Sequence, residues 1–133
     1  MLKRNKRFFL MLLTLSLPFG CVGCVSEGSS ATYDQISGAE AKALMDSESG
    51  YIVIDARTQE EYDEGHIPGA ILIPEYEIAD RAEKELPDKK QLILVYCRSG
   101  RRSKIAAEEL VKLGYTNVKE FGGIIDWEYE IVK

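Results

Sequence analysis

The sequence predicts an α/β fold, a single domain with a central, mostly parallel β-sheet flanked by helices on both faces. Three observations carry that expectation. From Tyr33 onward, short apolar runs alternate with segments of helical period, as when crossover helices join strands. Residues 51–54 and 92–96 are apolar and largely β-branched or aliphatic, as strands covered on both faces must be. The chain has 133 residues, enough for one such domain and too few for two.

The elements follow in order. Ser37 and Glu40 form a capping box that opens a helix to about Asp46, with Ala41, Leu44 and Met45 on one face. Residues 51–54 form a buried strand. Thr58 and Glu61 form a second capping box, for a short helix ended by Gly65. Residues 67–70 turn into a short strand at 71–73, and Pro74 opens a helix over 75–85, stopped by Leu86-Pro87-Asp88. Residues 92–96, the most apolar strand, belong at the centre of the sheet. A tight loop over 97–102 leads into a helix over 103–113, closed by Gly114. A strand at 118–121, a turn at Gly122-Gly123 and a last short helix over 124–131 complete the domain.

The N-terminus has another purpose. Lys3, Arg4, Lys6 and Arg7 precede an uncharged stretch over 8–19, shorter than the roughly 20 residues that span a bilayer as a helix. This fits a secretory signal. Gly20-Cys21-Val22-Gly23-Cys24 resembles the lipobox of bacterial lipoproteins, with Cys24 the lipidated residue and Cys21 where Leu is usual; processing at Cys21 is the poorer alternative. The expected division is a signal peptide over 1–23, a flexible spacer over 24–32 and the domain over 33–133. Two acyl chains, at about 0.8 kcal/mol per buried methylene, would anchor the exported protein at the periplasmic face or cell surface. Cleavage without lipidation would leave it soluble outside the membrane.

Without the leader, 13 basic residues face 22 acidic ones, a formal charge of −9. Such a surface repels phosphate backbones, so no nucleic-acid partner is expected. Cys97 is then the one thiol of the domain, with no disulfide partner, and one Cys with one His (His66) argues against a zinc site. No metal or cofactor is expected, and the domain is expected to be a monomer.

The chemistry points to residues 95–103, Val-Tyr-Cys-Arg-Ser-Gly-Arg-Arg-Ser. A buried strand ends at Cys97 and a helix follows, and ligands of open α/β sheets bind beyond such strand ends. A loop around the sulfur can turn backbone N–H groups inward, and Gly100 allows the dihedrals this needs. Helix N-terminus and arginines add positive charge. All of this favours a thiolate, and so a nucleophile.

Five pieces in order now carry a resemblance: Asp55-Ala56-Arg57; Glu61-Tyr62; residues 65–70, Gly-His-Ile-Pro-Gly-Ala; the Cys97–Ser103 loop; and Gly122-Gly123 with Trp127. Residues 33–131 resemble the single-domain rhodaneses. The resemblance implies a double displacement: Cys97 takes the outer sulfur of a small sulfur-containing anion such as thiosulfate, releases sulfite, and passes the sulfur to cyanide in the assay or to a thiol, which a protein can carry. It implies that the amides of Arg98, Ser99, Gly100, Arg101, Arg102 and Ser103 hold the terminal sulfur, with Arg98 and Arg101 orienting the sulfonate and Arg102 facing either way. Asp55 is expected to support the loop, Arg57 to pair with Glu61, His66 to serve structurally and Trp127 to pack the last helix. The chain departs from the family in lacking the Gly-x-Pro segment that often follows this tryptophan.

Rival functions are weaker. A phosphatase or arsenate reductase needs Cys-x5-Arg, and the sixth residue after Cys97 is Ser103. A binding module without chemistry has no use for an intact cysteine loop. A persulfide carrier dedicated to a partner protein shares all these residues.

Overall fold

The computed structural model describes residues 32–133; the expected leader, Cys21, Cys24 and the spacer up to residue 31 lie outside the described residues. Five strands form one sheet in the order β1 (Asp34–Gln35), β5 (Val118–Gly123), β4 (Ile93–Cys97), β2 (Ile52–Asp55) and β3 (Ile71–Leu72), every pair parallel. Parallel neighbours need long crossovers. Helices α1 (Gly38–Ser47), α2 (Gln59–Glu64), α3 (Ile78–Glu85) and α4 (Arg101–Lys112) lie one in each connection.

The pleat sorts side chains between two cores. Along β4, Ile93, Val95 and Cys97 face a core that includes Ala82 of α3 and Ala106, Ala107 and Leu110 of α4. Leu94 and Tyr96 face the other core, with Ala41, Leu44 and Met45 of α1 and with Phe121 and Trp127. All five residues of β4 are buried, which explains its uninterrupted apolar run. Cys97 therefore ends the central strand on the side covered by α4.

Both capping boxes form. Ser37 accepts from the Glu40 N–H at 3.1 Å while Glu40 accepts from the Ser37 N–H at 2.7 Å, and Thr58 and Glu61 repeat the exchange at 3.3 and 3.0 Å.

Several expected boundaries need correction. Strand β1 has no counterpart in the sequence reading, because two exposed polar residues carry no strand pattern. The helix expected over 75–85 starts as a 3-10 turn, Glu75–Glu77, before α3. Helix α4 begins at Arg101 rather than at 103, after Gly100 in a left-handed conformation (φ 107°). Gly122-Gly123 is not a turn but the end of β5. There Val95 pairs with Glu120 and Cys97 with Gly123, so β5 carries one extra residue, a bulge with Gly122 at φ 89°. The last helix shrinks to a 3-10 turn, Ile124–Asp126, which has no side-chain cap. The chain after it returns to Gly65-His66-Ile67, where His66 and Val132 exchange two backbone hydrogen bonds of 2.8 Å.

Candidate active site at Cys97

The site is built where β4, α4 and the β5 bulge meet. Residues 98–100 wrap around the sulfur, and the Gly100 N–H donates to Cys97 Sγ at 3.0 Å. Burial pushes the thiol pKa up, but the Ser103 hydroxyl and the amides of Ser103, Gly100 and Ser99 outweigh it and hold the thiol below its ordinary value. Of the amides expected to face the sulfur, that of Gly100 makes a hydrogen bond to it, and those of Ser99 and Ser103 add to the lowering of the thiol pKa. Close packing from below keeps the loop in shape: a methyl group on Gly123 would stand 2.0 Å from the Arg98 carbonyl oxygen and 2.6 Å from Ser99 Cα.

The arginines divide by role. Arg98 and Arg101 are exposed and, among the described residues, form no ion pair. Arg102 is committed elsewhere. Its two terminal nitrogens bond the two oxygens of Glu61 at 2.7 and 2.8 Å, tying the first turn of α4 to α2. Arg102 holds the Glu61 carboxyl down at about 2 despite opposing burial. The Arg102 guanidinium also lies near enough to Cys97 to be favoured by a thiolate there.

The expected Arg57–Glu61 pair does not exist. Arg57 and Asp55 stand two residues apart at the end of β2 and form their own fork: Nε to Oδ1 at 2.9 Å and a terminal nitrogen to Oδ2 at 2.7 Å. Arg57 donates onward to the Gly65 carbonyl at 2.7 Å, and Asp55 accepts from the Tyr96 hydroxyl at 2.6 Å. Tyr96 in turn accepts from the Ile67 N–H at 3.1 Å. Asp55 thus braces β4 immediately before Cys97 through Tyr96, which is loop support of a kind the sequence did not specify. His66 is engaged within its own turn: its Nδ1 lies 2.9 Å from the Tyr62 carbonyl oxygen and its ring stacks on Tyr62 at 3.7 Å. Trp127 packs against Phe121, half-buried, beside the 3-10 turn rather than under a helix.

Glu120 escaped the sequence reading. It is 3% exposed and lies on β5 behind the sulfur, its Oε1 accepting from the Ser103 hydroxyl at 2.6 Å and from the Gly122 N–H at 2.8 Å. A Lys-Glu step in a strand reads as a solvated edge; strict alternation from buried Val118 would have turned position 120 inward.

Comparison with known proteins agrees with this architecture. Residues 37–130 match the model of the family described as "Rhodanese-like domain". The chain is 44% identical over 73 residues to the thiosulfate sulfurtransferase PspE of Escherichia coli, covering 55% of this chain and 70% of that one. It is 34% identical over 97 residues to the thiosulfate sulfurtransferase GlpE of Coxiella burnetii, covering 72% and 88%. Among solved structures, a rhodanese with anions from E. coli superposes with a TM-score of 0.59 at 41% identity, covering 62% of this chain and 98% of that one. The chain belongs to the rhodanese-like domain family.

Proposed function

We propose that the chain is a thiosulfate-type sulfurtransferase working through a Cys97 persulfide. In the first half-reaction the Cys97 thiolate attacks the outer sulfur of thiosulfate. The new S–S bond forms as the bond to the sulfonate sulfur breaks, and sulfite leaves with the electron pair. In the second, a nucleophile such as cyanide or a thiolate takes the terminal sulfur and returns the Cys97 thiolate. No proton has to move in either step, because each leaving group is stable as an anion. That suits a site whose one histidine is occupied in its own turn by Tyr62.

The observation that carries the reading is the 3.0 Å bond from the Gly100 N–H to Cys97 Sγ in the loop that wraps the sulfur. Fixed N–H dipoles aimed at sulfur stabilise negative charge there as an oxyanion hole does on oxygen. Exposed Arg98 and Arg101 stand at the rim, where they can gather and orient the sulfonate. Arg102, bound to Glu61, has a bracing role. Position 103 is a serine hydrogen-bonded to a carboxylate, which speaks against phosphoryl chemistry in this loop.

The test is an intact mass spectrum of the purified chain after thiosulfate. A gain of about 32 Da, one sulfur atom, lost again on cyanide and absent in Cys97→Ser, is expected. An unchanged mass would sink the proposal. The same spectrum reports on our proposal that residues 1–23 are a leader and that Cys24 anchors the exported protein: material from a bacterial membrane fraction would begin at Cys24 and carry a diacylglyceryl mass.

A further inference from the structure

We infer that Glu120 is a positioning residue for the nucleophile, accepting the Cys97 thiol proton through the Ser103 hydroxyl in a Cys97–Ser103–Glu120 relay. This deepens the sulfurtransferase reading and rests on it.

The argument is an accounting of one proton. Ser103 Oγ lies 3.4 Å from Cys97 Sγ, 2.6 Å from Glu120 Oε1, 3.0 Å from the Gly100 carbonyl oxygen and 3.4 Å from the Gly122 carbonyl oxygen. A hydroxyl has one hydrogen to donate. If Glu120 is ionised, it takes that hydrogen by the shortest contact, and Ser103 can only accept from a neutral Cys97 S–H. If Glu120 carries a proton, Ser103 accepts from Glu120 and turns its own hydrogen to the sulfur, where it stabilises a thiolate. The two arrangements differ by the concerted shift of two protons: S–H to Ser103 Oγ, and Ser103 O–H to Glu120 Oε1. Net charge stays at minus one throughout.

The surroundings favour sharing one charge over holding two. Glu120 and Cys97 are 3% and 1% exposed, and among the described residues no basic side chain comes within ion-pair distance of Glu120. Its partners are the Ser103 hydroxyl and the Gly122 amide. The elements packed on it add little charge. From β4 the group on this side is Cys97, and from α4 the buried residues beyond Ser103 are Ala106, Ala107 and Leu110. On β1, Asp34 pairs with Lys119 and the neutral Gln35 lies in register with Glu120; Tyr33 packs on the same core. Arg102, whose guanidinium a Cys97 thiolate would favour, is bonded to Glu61. In the relay the two groups share one negative charge across the Ser103 hydroxyl that lies between them.

The test is the thiolate absorbance of the full-length chain against pH, with the spectrum of Cys97→Ser subtracted to remove the other cysteines. Wild type is expected to show two steps with a flat stretch between them, where the pair holds one proton. Glu120→Gln should show one step, with a thiolate signal near pH 6 lower by about tenfold, the equivalent of one pKa unit. An equal signal in the two proteins overturns the relay, and so does a higher one in Glu120→Gln, since an ionised Glu120 that merely repels the thiolate would give that result. Should Glu120→Gln not fold, Ser103→Ala must lose the lower step. A persulfide formed with a single-step titration refutes the relay alone, whereas two steps without any persulfide refute the sulfurtransferase reading alone.

Discussion

Glu61 grips Arg102 with two hydrogen bonds of 2.7 and 2.8 Å, joining helix α2 to the first turn of α4 across 41 residues of sequence. The same Glu61 completes the capping box with Thr58, so one carboxylate starts one helix and anchors the next. The pair ties α2 to the helix that follows the Cys97 loop.

This linkage has a pH signature. Glu61 titrates near 2 in the folded protein against an ordinary value of 4.5. A depressed carboxyl adds stability that is complete above the unfolded value and is lost as pH falls through the folded one. The stability difference between wild type and Glu61→Gln, measured by denaturant unfolding, should be constant above about pH 5, at about 1–3 kcal/mol for a charged, two-pronged contact. It should shrink between pH 4.5 and 2. A difference that persists at pH 2 would contradict this assignment.

Arg98 and Arg101 should act on substrate capture. Each Arg→Ala change is expected to raise KM for thiosulfate about three- to tenfold, on the order of 1 kcal/mol, with kcat nearly unchanged and with weaker salt dependence. Equal loss of kcat would place the side chain on the reacting sulfur instead.

The Asp55–Arg57–Tyr96 cluster predicts stability effects rather than kinetic ones. Arg57→Met leaves the fully buried Asp55 without its cation and should cost about 3–5 kcal/mol in denaturant unfolding. Tyr96→Phe strands the Ile67 N–H and removes one bond to Asp55, at about 1–3 kcal/mol. Near-wild-type stability in Arg57→Met would refute the bracing role.

Gly123→Ala should disable the site while sparing the sheet. The added methyl meets the backbone of Arg98 and Ser99, which cannot yield without moving the Gly100 amide off the sulfur. Sulfur transfer is expected to fall by at least about tenfold, with far-ultraviolet circular dichroism unchanged. Full activity would mean that the loop tolerates displacement.

Local chemistry made much of this visible beforehand. Both capping boxes, the buried run of β4 and the cysteine followed by a glycine-containing loop are each encoded within a few adjacent residues. What stayed hidden depends on long-range pairing. Arg57 has carboxylates at positions 55 and 61, and spacing alone does not decide between them; the fold does, by bringing Arg102 to Glu61. Strand β1 exists because the edge of β5 offers hydrogen bonds to two polar residues with no pattern of their own. Glu120 looked solvated until α4 covered it.

The most direct test of the central claim is the rate at which a thiol-alkylating reagent modifies Cys97 as pH is varied, followed by peptide mass analysis at that residue. If the loop amides and Ser103 stabilise the anion, Cys97 should reach half its maximal rate below about pH 8.5, the value of a free thiol, and Gly123→Ala should shift that point upward. A midpoint at or above that of a free thiol would contradict the claim that this loop is built to hold negative sulfur.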